Sequence, residues 1–197
     1  MKPEITDRVT HLLASRSKQI RADWDYIPAA VLVPIFSKDN IPHLLLTKRS
    51  TKLRDHSGEV AFPGGRVDPE DQTPQVTALR EAEEEIGLNR QDVRLLGEMD
   101  EFLTMSGYLI TPVVGWIPYP YEFQINAHEI EYLIEVPIPV IDQPEALEVR
   151  QFQVLGRTRP IYFYHYGDRD PIWGVSGRIV NQFLSLVYPI IREAVSL

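Results

Sequence analysis

The sequence contains no cysteine among its 197 residues. This absence excludes a disulfide framework, thiol catalysis and cysteine-bound zinc. No apolar run approaches the roughly 20 residues that a membrane-spanning helix requires, and residues 1–18 lack the apolar core of a signal peptide. The formal net charge of −8 opposes non-specific binding to nucleic acid. We therefore expect a soluble, cytoplasmic protein whose partners include neither nucleic acid nor a membrane.

Composition and element order indicate one globular domain spanning residues 1–197. Hydrophobic residues make up 44% and charged residues 24%, which is typical of a soluble chain with a packed core. The predicted order of elements is helix, strands, helix, strands, helix. This order favours an α/β or α+β fold in which helices cover a mixed sheet.

Hydrophobic periodicity and turn residues locate the individual elements. A helix is predicted over residues 4–19, and a hairpin over 28–36 and 42–48 with its turn at 38–40. Pro34 cannot donate a ladder hydrogen bond, so it predicts an edge position or a bulge in the first of these strands. Further elements are predicted as strands at 93–103, 108–117, 130–136 and 160–165, and as an amphipathic helix at 176–195.

The segment 73–86 has the clearest helical pattern in the chain. Thr73 suits the N-cap, Pro74 suits the first helical position, and Gly87 is a natural C-terminal stop. Because each residue turns the helix by about 100°, one arc carries apolar side chains and the opposite arc carries three carboxylates. The apolar arc comprises Val76, Leu79, Ala82 and Ile86, and the acidic arc comprises Glu81, Glu84 and Glu85.

The acidic arc is unfavourable without a counter-charge. Like charges at these spacings cost on the order of 0.2–0.5 kcal/mol per pair, and the negative end of the helix dipole adds to that cost. A divalent cation such as magnesium, which prefers oxygen ligands, would reverse both penalties. Taken alone, such a run is more often a solvated acidic face, in which Arg80 pairs with Glu84 across one turn. Glu83 lies on the flank of the apolar arc, and the sequence assigns it no role.

A glycine pair precedes this helix in residues 62–67, FPGGRV, and permits close approach of the backbone to a ligand. From Gly65, five residues lead to Asp71, and eight more lead to the segment 80–88, REAEEEIGL. This arrangement resembles the Nudix box, G-x5-E-x7-R-E-U-x-E-E-x-G-U, in which U is an aliphatic residue. The segment 80–88 matches the second half of the box at every fixed position.

The first carboxylate of the box departs from the family pattern. Asp71 stands where Glu is usual and lies one residue further from Arg80, and Glu70 is the competing assignment if counting starts at Gly64. The resemblance implies a Nudix-type α/β/α sandwich with a mixed sheet, in which the box forms a loop-helix-loop. It also implies an enzyme that hydrolyses a pyrophosphate bond with Mg²⁺ or Mn²⁺ as cofactor.

A second resemblance concerns the substrate. Residues 44–65, LLLTKRSTKLRDHSGEVAFPGG, are similar to the signature that precedes the box in coenzyme A pyrophosphatases. The likeness covers about residues 28–180, which would form the domain core between the terminal helices. It implies cleavage of coenzyme A or its derivatives to 3′,5′-ADP and 4′-phosphopantetheine or acyl-phosphopantetheine. Two alternatives stay open: a Nudix hydrolase of another nucleoside diphosphate compound, such as ADP-ribose or a nucleotide, and a non-catalytic binding module of the same fold.

The Nudix resemblance implies roles for individual residues. Glu81, Glu84 and Glu85 are the expected metal ligands, and the substrate-binding loop includes Gly64 and Gly65, one of whose carbonyls is a further candidate ligand. Glu84 is also a candidate for the base that accepts a proton from the attacking water. Glu129, followed by Glu131 in a later loop, is the alternative base, although both carboxylates could be surface groups.

Arg49 and Arg54 are candidates for phosphate contacts, because guanidinium groups bind phosphate oxygens in bidentate fashion. Either one could instead be a surface or salt-bridging residue. His56 is a candidate for binding phosphate or for capping its loop. The aromatic stretches 116–123 and 162–166 either stack on adenine, line a pantetheine channel or pack in the core, and packing is the more common use. The sequence does not fix the oligomeric state, and a homodimer is compatible with it.

Overall fold

The computed structural model describes residues 3–18, 26–53, 56–154 and 157–195. Its elements follow the predicted order, with several short strands and one short helix added. The helices are α1 (Pro3–Ser15), α2 (Pro74–Ile86), α3 (Ile138–Ile141), α4 (Gly174–Leu186) and α5 (Tyr188–Val195). The strands are β1 (Ile27–Lys38), β2 (Ile41–Arg49), β3 (Val60–Ala61), β4 (Gly64–Arg66), β5 (Arg94–Glu98), β6 (Phe102–Leu103), β7 (Tyr108–Trp116), β8 (Ile130–Pro137), β9 (Leu147–Val154) and β10 (Arg157–Tyr164).

Within the described residues, eight strands form one mixed sheet whose main path runs β3-β2-β1-β7-β5. Three further strands join this path: β4 pairs with β1, β6 with β7, and β8 with β2. β1 and β7 run parallel, with Ile27 opposite Tyr108 and Ile35 opposite Trp116, and the remaining pairs are antiparallel. β9 and β10 form a separate antiparallel hairpin. The predicted mixed sheet is confirmed.

Both faces of the sheet are covered, as the alternation of side chains along β1 shows. Val33 and Ile35 belong to a core shared with α1, α4 and α5, whereas Leu32 and Phe36 belong to a core shared with α2. Helical residues of the first core include Val9, Ile179, Phe183 and Ile191, and those of the second include Ala78, Ala82 and Ile86. The predicted α/β/α sandwich is therefore confirmed.

Pro34 occupies a central strand, so the predicted edge position is wrong. One edge of β1 pairs with β7, and the other is shared by β4, which pairs at Ala29–Val31, and β2, which pairs from Ile35 onward. On that shared edge the backbone N–H of Leu32 donates to the carbonyl of Pro63 at 2.8 Å. Backbone N–H groups two residues apart point to the same edge of a strand. The N–H that Pro34 lacks would therefore point into the gap between β4 and β2, where neither strand pairs with β1, so no ladder hydrogen bond is lost.

Three other element predictions need correction. The strand expected over 93–103 is divided into β5 and β6, and β9, with the sequence LEVRQFQV, was not predicted. The helix expected over 176–195 is broken at Val187 into α4 and α5. Pro189 explains the break, because proline lacks an N–H and its ring clashes with the preceding helical turn. Along the described residues, no helix is both long and apolar enough to cross a membrane.

Candidate active site

The ends of α2 are fixed by the residues that the sequence singled out. The Thr73 hydroxyl oxygen accepts a hydrogen bond from the backbone N–H of Val76 at 3.4 Å, and Pro74 is the first helical residue. Gly87 closes the helix with φ of 66°, a left-handed conformation that glycine adopts without strain. The predicted helix, its N-cap and its C-terminal stop are confirmed, and together they set which way the carboxylates point.

The buried face of α2 differs from the predicted apolar arc. Ala78, Ala82 and Ile86 are fully buried, but Val76 is 37% exposed and Glu85 is only 2% exposed. The difference arises because α2 is covered on more than one side. It packs on β1 and also against β4, and the backbone N–H of Asn126 reaches the carbonyl of Glu85 at its C-terminal end. The carboxylate of Glu85, which was expected on a solvated arc, is therefore buried.

Two donors hold the buried carboxylate of Glu85. Arg49 donates from Nη1 to Oε1 at 3.1 Å, and the backbone N–H of Gly64 donates to Oε2 at 3.2 Å. Burial is the largest influence and raises the pKa of Glu85 to about 7, against the opposing effects of Arg49 and Gly64. Arg49, predicted to contact phosphate, thus lies at the end of β2 against this carboxylate, and its buried Nε has no hydrogen-bond partner among the described residues.

Glu81 lies directly against the glycine loop. A Cβ atom added to Gly65 would overlap the Glu81 carboxylate, so this close approach requires glycine. Burial raises the pKa of Glu81, the positive charge of Arg80 lowers it, and the nearby carboxylates of Glu84 and Glu129 raise it further. Within the glycine pair, Glu81 therefore lies against Gly65 and Glu85 lies against Gly64.

Arg80 connects the box carboxylates to one another. Its Nη1 donates to Glu81 at 2.9 Å and to Glu84 at 3.3 Å, and its Nη2 donates to Asp71 at 2.9 Å. Nη2 also donates to the backbone carbonyl of Arg66 at 3.0 Å. The predicted pairing of Arg80 with Glu84 is confirmed. These contacts orient the carboxylates.

The first carboxylate of the box is Asp71. Its side chain is 4% exposed and accepts hydrogen bonds from Arg80 and from the hydroxyl of Thr77, the latter at 2.9 Å. The guanidinium of Arg80 holds the pKa of Asp71 at about 2, below its ordinary 3.8. Glu70, the competing assignment, is exposed. Of the two candidates, Asp71 is therefore the carboxylate that pairs with Arg80, despite the longer spacing between them.

Glu84 and Glu129 occupy different surroundings. The Glu84 side chain is 57% exposed and has Arg80 as its counter-charge. Glu129 is half-buried, accepts a hydrogen bond from Asn126 Nδ2 at 3.0 Å, and lies close enough to raise the pKa of both Glu81 and Glu85. The loop before β8 thus places Glu129 beside the box carboxylates, whereas Glu131 is exposed.

The family model of the NUDIX domain matches residues 25–154, more than half of the chain. The chain belongs to the Nudix family. An uncharacterized Nudix hydrolase NudL of Photorhabdus laumondii is 42% identical over 164 residues, covering 81% of this chain and 84% of its own length. A NudL protein of Yersinia pestis is 39% identical over 164 residues, covering 81% and 79%. The family match and these relatives together support a hydrolase of the Nudix family.

A solved structure with a similar fold is a MutT/nudix family protein from Enterococcus faecalis. It superposes with a TM-score of 0.56 and covers 97% of this Nudix chain and 80% of its own chain. Its sequence identity is 12%, so the likeness concerns the fold. The superposed region includes the terminal helices as well as the box.

Nudix hydrolases need divalent metal ions, and the chemistry of this site fits such an ion. Carboxylate oxygens are the ligands that hard divalent cations prefer, and Glu81 and Glu85 sit where glycine leaves room beside the backbone. In the described part of the chain, no three acidic or histidine side chains already converge at metal-ligand spacing. Arg80 and Arg49 supply the counter-charge there, and Glu84 lies at the solvent edge.

The remaining sequence predictions have mixed outcomes. Arg54 lies outside the described residues. His56 pairs with Glu59 at 3.0 Å within its own loop. Glu83, which had no assigned role, pairs with Arg90 at 3.0 Å and so ties α2 to the turn that follows. The aromatic stretches pack: Tyr119 stacks on Phe36, and the buried aromatic side chains of the second stretch include Phe163, Tyr164 and Tyr166.

Asn126 is a site residue that sequence analysis missed. It contacts both Glu85 and Glu129, yet it belongs to neither the box nor the upstream signature. A signal was present, because Asn followed three residues later by Glu is a local pattern in which both side chains can bond to nearby groups. Here the pattern precedes the strand β8 and not a helix.

Replacing Asp71 tests the ion pair that supports the box. Asp71→Asn is expected to lower the free energy of unfolding by about 2 kcal/mol at pH 7, because Arg80 loses its most buried counter-charge. The pKa of Asp71 is depressed, so its stabilisation is present above 3.8 and is lost as the pH falls toward about 2. Urea unfolding measured across this range should show a shallower acid dependence in the variant. Glu70→Gln is the matched control, and an equal loss there would contradict the assignment.

Proposed function

We propose that this Nudix hydrolase cleaves the pyrophosphate bond of coenzyme A or its thioesters. The products would be 3′,5′-ADP and 4′-phosphopantetheine or its acyl derivative. The main support for the proposal is that residues of the 44–65 signature contact the box carboxylate Glu85 and the loop that contains Glu129. Arg49 and Gly64 both bind the carboxylate of Glu85, and the backbone N–H of Ser50 donates to the carbonyl of Glu129 at 2.7 Å. These contacts support a role in the proposed active site for the segment that resembles coenzyme A pyrophosphatases.

The box carboxylates are proposed to hold the divalent ion. Glu81 and Glu85 are the first choice, with a carbonyl of Gly64 or Gly65 and the more exposed Glu84 completing the donor set. When bound, the ion would offset phosphate charge and increase the acidity of a water molecule. Arg80 would keep Glu81 and Glu84 oriented throughout, since its guanidinium contacts both.

Glu129 is the proposed general base. Water attacks one phosphorus of the diphosphate, a new P–O bond forms, and the bridging P–O bond breaks to release the second product as a phosphate monoester. The proton lost by the water passes to Glu129, whose Oε2 accepts no hydrogen bond from another described residue. Glu84 is the alternative base, but its exposure and its pairing with Arg80 favour a supporting role.

The two arginines of the signature are proposed to act differently. Arg49 would keep the Glu85 carboxylate in place, because its Nη1 already contacts Oε1. Arg54 is retained as the candidate for the phosphates of the substrate, including the 3′-phosphate that distinguishes coenzyme A from simpler dinucleotides. A cytoplasmic location and a homodimer remain predictions attached to this proposal.

The experiment that tests the substrate is a product assay. The protein is incubated with coenzyme A and Mg²⁺ or Mn²⁺ in parallel, and the products are separated by anion-exchange chromatography. We expect equal amounts of 3′,5′-ADP and 4′-phosphopantetheine, with kcat/KM at least about tenfold higher than for ADP-ribose or a dinucleoside polyphosphate. A higher value for one of those compounds would assign another nucleoside diphosphate substrate. Absence of turnover across the whole panel would favour a non-catalytic binding module.

A further inference from the structure

Asn126 lies in the loop between β7 and β8, where it joins α2 to the residues before β8. Its backbone N–H donates to the carbonyl of Glu85 at 2.9 Å, and its Nδ2 donates to Glu129 Oε1 at 3.0 Å. Its Oδ1 accepts from the N–H of His128 at 3.2 Å, and its carbonyl accepts from the N–H groups of Glu129 and Ile130 at 3.0 and 2.9 Å. Each polar group of this residue is therefore used.

We propose that Asn126 is a positioning residue that fixes the carboxylate of Glu129 relative to α2 for proton transfer. The inference rests on the proposed role of Glu129 as base. The amide of Asn126 binds only Oε1 of Glu129. This bond fixes the direction of the other oxygen, Oε2, which stays available to the attacking water. Through its backbone N–H, the same residue is anchored to Glu85, so the base and a box carboxylate share one reference point.

Electrostatics explain why such a restraint is needed. Glu129 stands near Glu81 and Glu85, and each of these carboxylates experiences its negative charge. Mutual repulsion favours rotation of the half-buried Glu129 side chain outward to water. A single hydrogen bond from an amide to a charged carboxylate contributes enough to select one rotamer over others. A displacement of about 1 Å in such a group is sufficient to slow a reaction substantially.

Two substitutions separate positioning from simple support of the loop. Asn126→Ala removes all side-chain contacts, whereas Asn126→Asp keeps the oxygen that accepts from His128 and replaces the amide donor to Glu129 with a carboxylate oxygen that repels it. The backbone bonds to Glu85 and Ile130 persist in both variants, because they do not involve the side chain. If Asn126 only shaped the loop, the aspartate variant would retain activity and the alanine variant would not.

We expect both variants to lower kcat about tenfold or more and to change KM by less than about twofold, because substrate contacts are untouched. In a Glu129→Gln background, Asn126→Ala should cause no further loss, since the group through which it acts is already disabled. Thermal unfolding and Mn²⁺ affinity measured by electron paramagnetic resonance should remain near wild type for Asn126→Ala. These two measurements do not depend on turnover.

Several outcomes would overturn the inference. An equal loss in the wild-type and Glu129→Gln backgrounds would show that Asn126 acts independently of Glu129, and an active Asn126→Asp protein would show a role confined to the loop. Failure of the underlying mechanism looks different, because Glu129→Gln itself would then turn over at a near-normal rate. A large loss in Glu129→Gln combined with fully active Asn126 variants would reject the positioning role alone.

Discussion

Glu85→Gln is expected to reduce kcat/KM by roughly 10³-fold while the protein remains folded. The proposed ligand would lose its charge, and groups that stabilise charge at a reacting centre contribute on this scale. The amide keeps the size of the side chain and one oxygen that can accept from Arg49 or Gly64. Steady-state kinetics with coenzyme A at saturating Mg²⁺ gives the measurement. The matched control is Glu83→Gln, because Glu83 lies on the same helix but pairs with Arg90 outside the site.

The same substitution should change how stability depends on pH. Burial raises the pKa of Glu85 from 4.5 to about 7, so the native state holds a proton that the unfolded chain releases in this range. The contribution of Glu85 to stability is therefore greatest below pH 4.5 and is lost as the pH rises through about 7. In chelator, Glu85→Gln should be at least as stable as wild type at pH 8, and it should lack this part of the pH dependence. A variant much less stable than wild type at pH 8 would contradict the raised pKa.

Gly65→Ala is expected to lower kcat about 10²-fold with little change in stability. The added Cβ would overlap the Glu81 carboxylate, which is the end of a flexible side chain and can move away. The fold therefore tolerates the change at a cost of less than about 1 kcal/mol, whereas the metal site loses its geometry. Kinetics and thermal unfolding on the same preparation check both parts.

The control for Gly65→Ala is the Glu81→Ala background. There the side chain that the new methyl group displaces is missing, so Gly65→Ala should add no further loss of activity. A second large loss in that background would mean that the methyl group blocks the substrate directly. Unfolding of the single variant would mean that Gly65 has a structural role beyond leaving room for Glu81.

Local rules in the sequence predicted the box helix well because its ends are encoded locally. Thr73 and Pro74 define its start, and Gly87 defines its end, and the structure places all three in these roles. The hairpin of β1 and β2 was likewise predicted, because its apolar runs and the turn at 38–40 are local features. The break between α4 and α5 was also encoded locally, by Pro189, and was overlooked because the apolar pattern continues across it.

The surroundings of the carboxylates could not be predicted in the same way. Periodicity gives the phase of α2, but it does not reveal that Gly64 and Asn126 approach the helix from distant parts of the chain. The burial of Glu85 and its pairing with Arg49 follow from those approaches. The choice between Asp71 and Glu70 likewise depended on the path of the loop, which spacing alone left open.

The guanidinium groups of Arg80 and Arg49 affect the order in which the protein folds and binds its metal ion. Together they contact Asp71, Glu81, Glu84 and Glu85 and offset part of their negative charge, so part of the repulsion on the acidic helix is relieved before an inorganic ion binds. Maturation would then proceed in two separable stages, chain collapse first and activation by cation later. Such an enzyme can be stored in a chelating buffer as an intact, silent precursor and switched on by adding the ion.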